Sequence, residues 1–189
     1  MTERKEQIIH EAIQLIVTQG HAGLTMRAVA RASGLKLGAL QYHYPTRLSL
    51  IEALATWLGE ETAANFEAYR GAESTDTRGL HALVDFLIDD PLADAFDLDT
   101  LFEQLWAMAH HEPPIRTLLD NLYAHYLGYI EDELKALGVK TPRPEALVVM
   151  SMLEGLPLFV GKGRRWQRDA KASVKAIHRF LEARFEVGV

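Results

Sequence analysis

The sequence predicts an all-α protein of about nine helices: an N-terminal three-helix head containing a helix-turn-helix, then a C-terminal helical bundle. Two observations predict it. Apolar residues recur at i, i+3, i+4 and i+7 in one segment after another, the spacing that puts them on one helix face. Gly, Pro and capping Thr residues punctuate those segments, and no stretch reads convincingly as a strand.

Each element follows in order. Ile8, Ile9, Ala12, Ile13, Ile16 and Val17 form the stripe of the first helix, with Thr2 expected to cap its start and Gly20 to stop its end. A short helix runs from its cap at Thr25 to Ala32, and Ser33-Gly34 breaks it. A third, Leu35 to Tyr44, is ended by Pro45. Thr46 caps a long connector helix with Leu48, Ile51, Leu54, Ala55 and Leu58 on one face. Gly71 to Thr77 is a loop by composition. Leu80, Leu83, Val84, Leu87 and Ile88 open the next helix, and Asp89-Asp90-Pro91 ends it. Leu98 to His110 is helical. Pro113-Pro114 begins a helix carrying Ile115, Leu119, Leu122, Ile130 and Leu134, stopped by Gly138. Pro142 and Pro144 introduce the apolar helix Glu145 to Val160, in which Gly155 and Pro157 predict a kink near Leu156. The last helix carries Val174, Ile177, Leu181 and Phe185 on one stripe.

Composition narrows the function. The 189 residues are 48% apolar, enough to bury a core, and include no Cys. That excludes disulfides, thiolate metal sites and Cys nucleophiles, and suits a reducing cytoplasm, the expected location. The first ten residues are mostly polar and charged, with no apolar core segment behind them, so no signal peptide is expected. Ala146 to Val160 is the longest apolar run, and it is shorter than the roughly 20 residues a bilayer requires. Net charge is −6, yet residues 1–50 hold six basic and three acidic residues, leaving −9 on the rest. A basic head on an acidic body suits a local polyanion-binding module.

Residues 25–44 carry the most information. Ala30 is small where two helices must approach, Gly34 sits where the turn needs positive φ, and Val29, Leu35 and Leu40 are spaced to pack the pair. In a helix-turn-helix the second helix enters the major groove. Lys36, Leu37, Ala39 and Gln41 are expected to face outward there. Gln can pair with adenine, Lys can reach guanine, and apolar groups can touch a thymine methyl, while Gly38 keeps bulk away from the groove.

Thr25, Val29-Ala30, Ser33-Gly34, Gly38-Ala39-Leu40, His43-Tyr44 and Arg47 resemble, in order and spacing over about 45 residues, the head of the tetracycline-repressor (TetR) family. Three positions depart from its pattern: Gln41 stands in place of the usual Tyr, which follows as Tyr42; Lys36 replaces a Ser or Thr; Arg47 replaces a Lys. The resemblance implies a DNA-binding domain over residues 1–60, with the recognition helix at about 35–44 running into the connector. It implies an effector-binding and dimerisation domain over 61–189. Phosphate contacts follow for Thr25, Tyr42, His43 and Arg47, with Arg27 near the DNA backbone or minor groove. Thr25 also reads as a plain helix cap, Arg27 as a solvated charge and Tyr42 as a core residue.

The implied function is a transcriptional regulator: a repressor released from an inverted-repeat DNA operator by a small-molecule effector, acting as a homodimer. The implied effector pocket draws on Phe66, Phe86, Phe102, Trp106, Tyr126 and Met150, with His110, Tyr123 and Glu154 as polar anchors; core packing is the alternative role for each. The last two helices resemble the family's dimer interface, at Leu153, Leu156, Phe159, Val160, Ile177 and Leu181. No HExxH, paired CxxC or Gly-rich phosphate loop appears, so neither catalysis nor a cofactor is expected. His110-His111 point about 100° apart on a helix. His81 and Asp85 make a usable i, i+4 pair but no complete metal site. A metal-responsive regulator on the same scaffold, and a helical enzyme, are the alternatives.

Overall fold

The computed structural model describes residues 2–72, 79–89 and 91–185. Among them are ten α-helices and no strand: α1 (Glu3–Gln19), α2 (Met26–Ala32), α3 (Leu37–His43), α4 (Arg47–Ala72), α5 (Gly79–Ile88), α6 (Pro91–Phe96), α7 (Leu98–Ala109), α8 (Pro113–Ala136), α9 (Pro142–Val160) and α10 (Ala170–Phe185). Single 3-10 turns lie at His21–Gly23 and Gln167–Asp169. The helix missing from the sequence pattern is α6, whose six residues are too few to show a periodic stripe. Most of the loop expected at Gly71 to Thr77 lies outside the described residues; Gly71 and Ala72 end α4.

Local chemistry explains the head. Ile8, Ile9, Ala12, Ile13 and Ile16 of α1 are fully buried, each Ile stabilising the fold by about 1.5–3 kcal/mol relative to exposure. Thr2 occupies the N-cap of α1, but its side chain makes no capping bond; the first turn relies on Glu3 and Glu6 facing the positive end of the helix. Thr25 does cap α2, its Oγ1 accepting from the Ala28 amide at 3.1 Å. The turn after α2 closes in a Schellman arrangement: Leu35 N–H donates to Ala30 O at 2.7 Å and Gly34 N–H to Arg31 O at 3.1 Å, with Gly34 at φ +66°. Leu35 is therefore part of the turn, and α3 begins at Leu37 rather than Leu35. It ends at His43 because Tyr44 precedes a proline and is extended. Thr46 and Ser49 cap α4 reciprocally, each amide donating to the other's hydroxyl at 3.0 Å.

The chain divides into two compact units. One comprises residues 1–63 and 91–123, the other residues 64–90 and 124–189, so α4 and α8 contribute to both. The unit that holds the head thus reaches beyond residue 60 and includes α6, α7 and the start of α8. Within it, His10, Trp57 and Phe96 pack ring against ring, with centroids 4.9–5.4 Å apart. The His21 amide donates to Gln104 Oε1 at 3.1 Å. The second unit buries Leu80, Leu83, Val84, Ile130, Leu134, Ala146, Val149 and Leu181. There α9 stays helical through Pro157 to Val160. Among the described residues no helix is long and apolar enough to cross a membrane.

Candidate nucleic-acid interface

The recognition helix α3 is held from one side. Leu40 is fully buried, as is Val29 of α2, and Leu37 is half-buried. The other side is bare: Gly38, Ala39 and Gln41 are exposed, and Tyr42 is 86% exposed, so Tyr42 is not a core residue. A Cβ built on Gly38 would meet nothing within 4 Å. The fold therefore has no steric need for glycine there, although glycine within a helix costs about 0.5–1 kcal/mol.

The remaining head candidates surround α3 in sequence. Thr25, Arg27 and Lys36 are exposed, while His43 is half-buried with its ring 5.5 Å from that of Tyr42. Lys36 is the N-cap residue of α3. Arg47 is half-buried and doubly engaged: Nε donates to Leu24 O at 3.1 Å, and Nη1 lies 2.6 Å from Glu112 Oε2. Two features of the head escaped sequence reasoning. Arg4 donates to Ser33 O at 2.9 Å, tying α1 to the turn. Glu112 reaches Arg47 from 65 residues away, a separation no local pattern reveals.

The body candidates fall into separate groups. In the first unit, Trp106 Nε1 donates to the Tyr123 hydroxyl at 3.2 Å, Phe102 lies 5.8 Å from the Tyr123 ring, and Arg116 stands 5.0 Å over Trp106. His110 is exposed. In the second unit, Phe66 packs against Phe86 and Tyr129 at 5.2 and 5.1 Å, Met150 is buried, Tyr126 is half-buried and Glu154 is exposed. Leu153, Ile177 and Leu181 are buried within their own chain. Leu156 and Val160 are half-buried, and Phe159 is 59% exposed, in company with exposed Leu147, Val148, Leu158 and Phe180.

The i, i+4 pair His81 and Asp85 acquires a third member. His178 Nδ1 lies 2.6 Å from His81 Nδ1, and its Nε2 lies 2.7 Å from Asp85 Oδ1. The imidazoles are 14° from parallel with centroids 4.8 Å apart, which with facing nitrogens means nearly coplanar rings meeting edge to edge. One Nδ1 must donate while the other accepts. Among the described residues no group of three or more His, Asp or Glu is arranged to hold a metal ion.

A short helix with one bare face, packed on a second helix through a tight glycine turn, is the helix-turn-helix arrangement with which DNA-binding proteins enter the major groove. Residues 8–54 match the model for bacterial regulatory proteins of the tetR family. The chain is 25% identical over 181 residues to the HTH-type transcriptional regulator BetI of Burkholderia thailandensis, covering 95% of this chain and 92% of that protein. It is 27% identical over 100 residues to the regulator CymR of Pseudomonas putida, covering 51% and 49%. A transcriptional regulator from Saccharomonospora viridis, solved in complex with choline, superposes with a TM-score of 0.79 at 19% identity, over 97% of this chain and 98% of that one. The multidrug binding protein EbrR, solved with malachite green, superposes with a TM-score of 0.66 at 21% identity, over 94% and 98%. The chain is thus similar to TetR-family transcriptional regulators, in sequence over its head and more weakly beyond it, and in fold along most of its length.

Proposed function

We propose that the chain is a homodimeric repressor that binds an inverted repeat in double-stranded DNA and leaves it when a small organic effector occupies its body. One observation carries the DNA half. The outer face of α3 places an exposed glycine with open space around it beside an 86% exposed tyrosine, an arrangement that weakens the helix and serves no packing. Close approach to a groove floor gives it a use. Lys36, Leu37, Ala39 and Gln41 then read base edges, Thr25, Tyr42, His43 and Arg47 hold phosphates, and Arg27 lies near the DNA backbone or minor groove. Residues 1–60 form the DNA-binding domain, and residues 61–189 bind effector and dimerise.

The apolar face of α9 and α10 supports the dimer. Leu147, Val148, Leu158, Phe159 and Phe180 are large apolar side chains left exposed on these two helices, and a partner helix pair would cover them. Leu156 and Val160 flank that face, and Leu153, Ile177 and Leu181 support it from beneath. The effector contacts are sought in each unit by itself: Phe102 and Trp106 with Tyr123 and His110 as polar groups in the first, and Phe66, Phe86, Tyr126 and Met150 with Glu154 in the second. Choline and malachite green, held by fold neighbours, are both organic cations, so that class is the first to try. The protein performs no catalysis and works in the cytoplasm, where its DNA is. One unbroken helix, α4, carries Arg47 at its start and Phe66 further along, which gives effector occupancy a mechanical route to the head.

The test is selection of duplexes from a random library, followed by anisotropy on the enriched duplex with choline, malachite green or zinc added. The expected enrichment is an inverted repeat whose half-sites lie one helical turn, about 34–36 Å, apart or a multiple of it. Failure to enrich any sequence overturns the DNA reading. Release by zinc alone moves the protein to the metal-responsive class.

A further inference from the structure

Arg47 opens α4 already committed to two partners. Its Nε donates to Leu24 O at 3.1 Å and its Nη1 lies 2.6 Å from Glu112 Oε2. Glu112 is itself fixed at the corner between α7 and α8. Its amide donates to Met108 O at 2.9 Å, and its carbonyl accepts from Ile115 and Arg116. The same corner carries Arg116 over the Trp106 ring, and further along α8 the Tyr123 hydroxyl accepts from Trp106 Nε1.

We propose that Glu112 is a positioning residue that sets how much of the Arg47 charge is available to DNA. The proposal rests on the reading of Arg47 as a phosphate contact. Carboxylate and phosphate compete for the same guanidinium fork, since both offer anionic oxygens at matching geometry. With the pair closed, the Arg47 charge is cancelled and a second anion stands where phosphate must approach. With it open, the full charge faces the backbone. The two side chains are 31% and 39% exposed, so the pair is the weak, solvated kind that phosphate can displace. A shift of the α7–α8 corner by about 1–2 Å, the scale of helix movements in switching proteins, opens or closes a 2.6 Å contact.

The test uses the full chain and the enriched duplex, with affinity measured from 50 to 200 mM salt for wild type, Glu112→Gln, Glu112→Ala, Arg47→Ala and the Glu112→Gln/Arg47→Ala double variant. Circular dichroism confirms that each is folded. Glu112→Gln and Glu112→Ala are expected to bind about two- to fivefold more tightly, the range of a partly exposed ion pair. The slope of log K against log salt should steepen by about 0.9 for each guanidinium freed. In the Arg47→Ala background the Glu112 change should alter neither quantity, which a merely structural role for Glu112 would not produce. If Arg47→Ala weakens binding while the Glu112 variants bind equally or more weakly than wild type, the proposal is overturned and the phosphate role survives. If Arg47→Ala binds as wild type does, the phosphate role fails and the proposal falls with it.

Discussion

The Tyr44 hydroxyl donates to the backbone carbonyl of Lys5 at 3.2 Å, pinning the residue after the recognition helix to the first helix of the head. Tyr44 is 4% exposed, and burial pushes its phenol above the ordinary tyrosine range. The unfolded chain releases that proton near pH 10, while the folded chain holds it to higher pH. The stabilisation is therefore complete below about pH 10 and is lost as pH rises through the folded value. Tyr44→Phe should cost about 0.5–1.5 kcal/mol at neutral pH through the lost hydrogen bond. It should also show a shallower alkaline loss than wild type. Urea unfolding at pH 7 to 11 measures both, and parallel curves for the two proteins would refute the assignment.

Gly34 sits at φ +66°, and a Cβ there would meet nothing within 4 Å. Replacement by Ala therefore costs only backbone strain, about 1–2 kcal/mol, with no clash added. Asn tolerates the left-handed region better, so Gly34→Asn should unfold at a denaturant concentration between those of wild type and Gly34→Ala. Equal midpoints for all three would show that the turn is not held in this conformation.

The caps at Thr25 and Thr46 and the turn of the head were legible because they depend on residues within three to five positions of one another. Thr25 with Ala28, Thr46 with Ser49, Gly34 with Arg31 and Leu35 with Ala30 are all of this kind. What depends on distant residues was not legible. Glu112 against Arg47 spans 65 positions, and His178 joins His81 across 97. Burial on α9 was ambiguous for a different reason. A helix that is apolar nearly all round does not declare its inner face, so Leu153 was readable as apolar but not as buried, nor Leu147 and Val148 as exposed.

His178 holds α10 to two residues of α5 through its two ring nitrogens. His178→Phe keeps a planar ring but removes both bonds, leaving the buried His81 with one partner fewer. A loss of about 1–3 kcal/mol is expected. Chemical denaturation with an unchanged midpoint would mean that the three-residue chain contributes nothing to stability.

Gln41 is exposed on α3, next to the buried Leu40, and it stands where the family pattern places Tyr. If it reads bases, Gln41→Ala should relax preference at particular base pairs by about 1–3 kcal/mol each while leaving affinity for unrelated duplex unchanged. Competition among single-base variants of the enriched duplex separates these effects. A uniform loss across all variants would reassign Gln41 to the phosphate backbone.

Phe159 and Leu181 lie on neighbouring helices yet should fail in opposite ways when changed. Phe159 on α9 is 59% exposed, whereas Leu181 on α10 is fully buried in its own chain. If the outer face is the dimer seam, Phe159→Glu introduces two charges at once, because a twofold axis presents each substitution twice. Burying those charges without partners is unfavourable, so the dimer should dissociate to the 21.2 kDa chain while each chain keeps its helical content. A single head then binds DNA far more weakly, since both half-sites can no longer be engaged together. Leu181→Ala instead leaves a cavity and should lower unfolding stability by about 2–5 kcal/mol without creating a charged surface. Light scattering, circular dichroism and DNA anisotropy on the two variants distinguish the cases. A Phe159→Glu protein that remains dimeric with unchanged DNA affinity would place the seam elsewhere, whatever Leu181→Ala does.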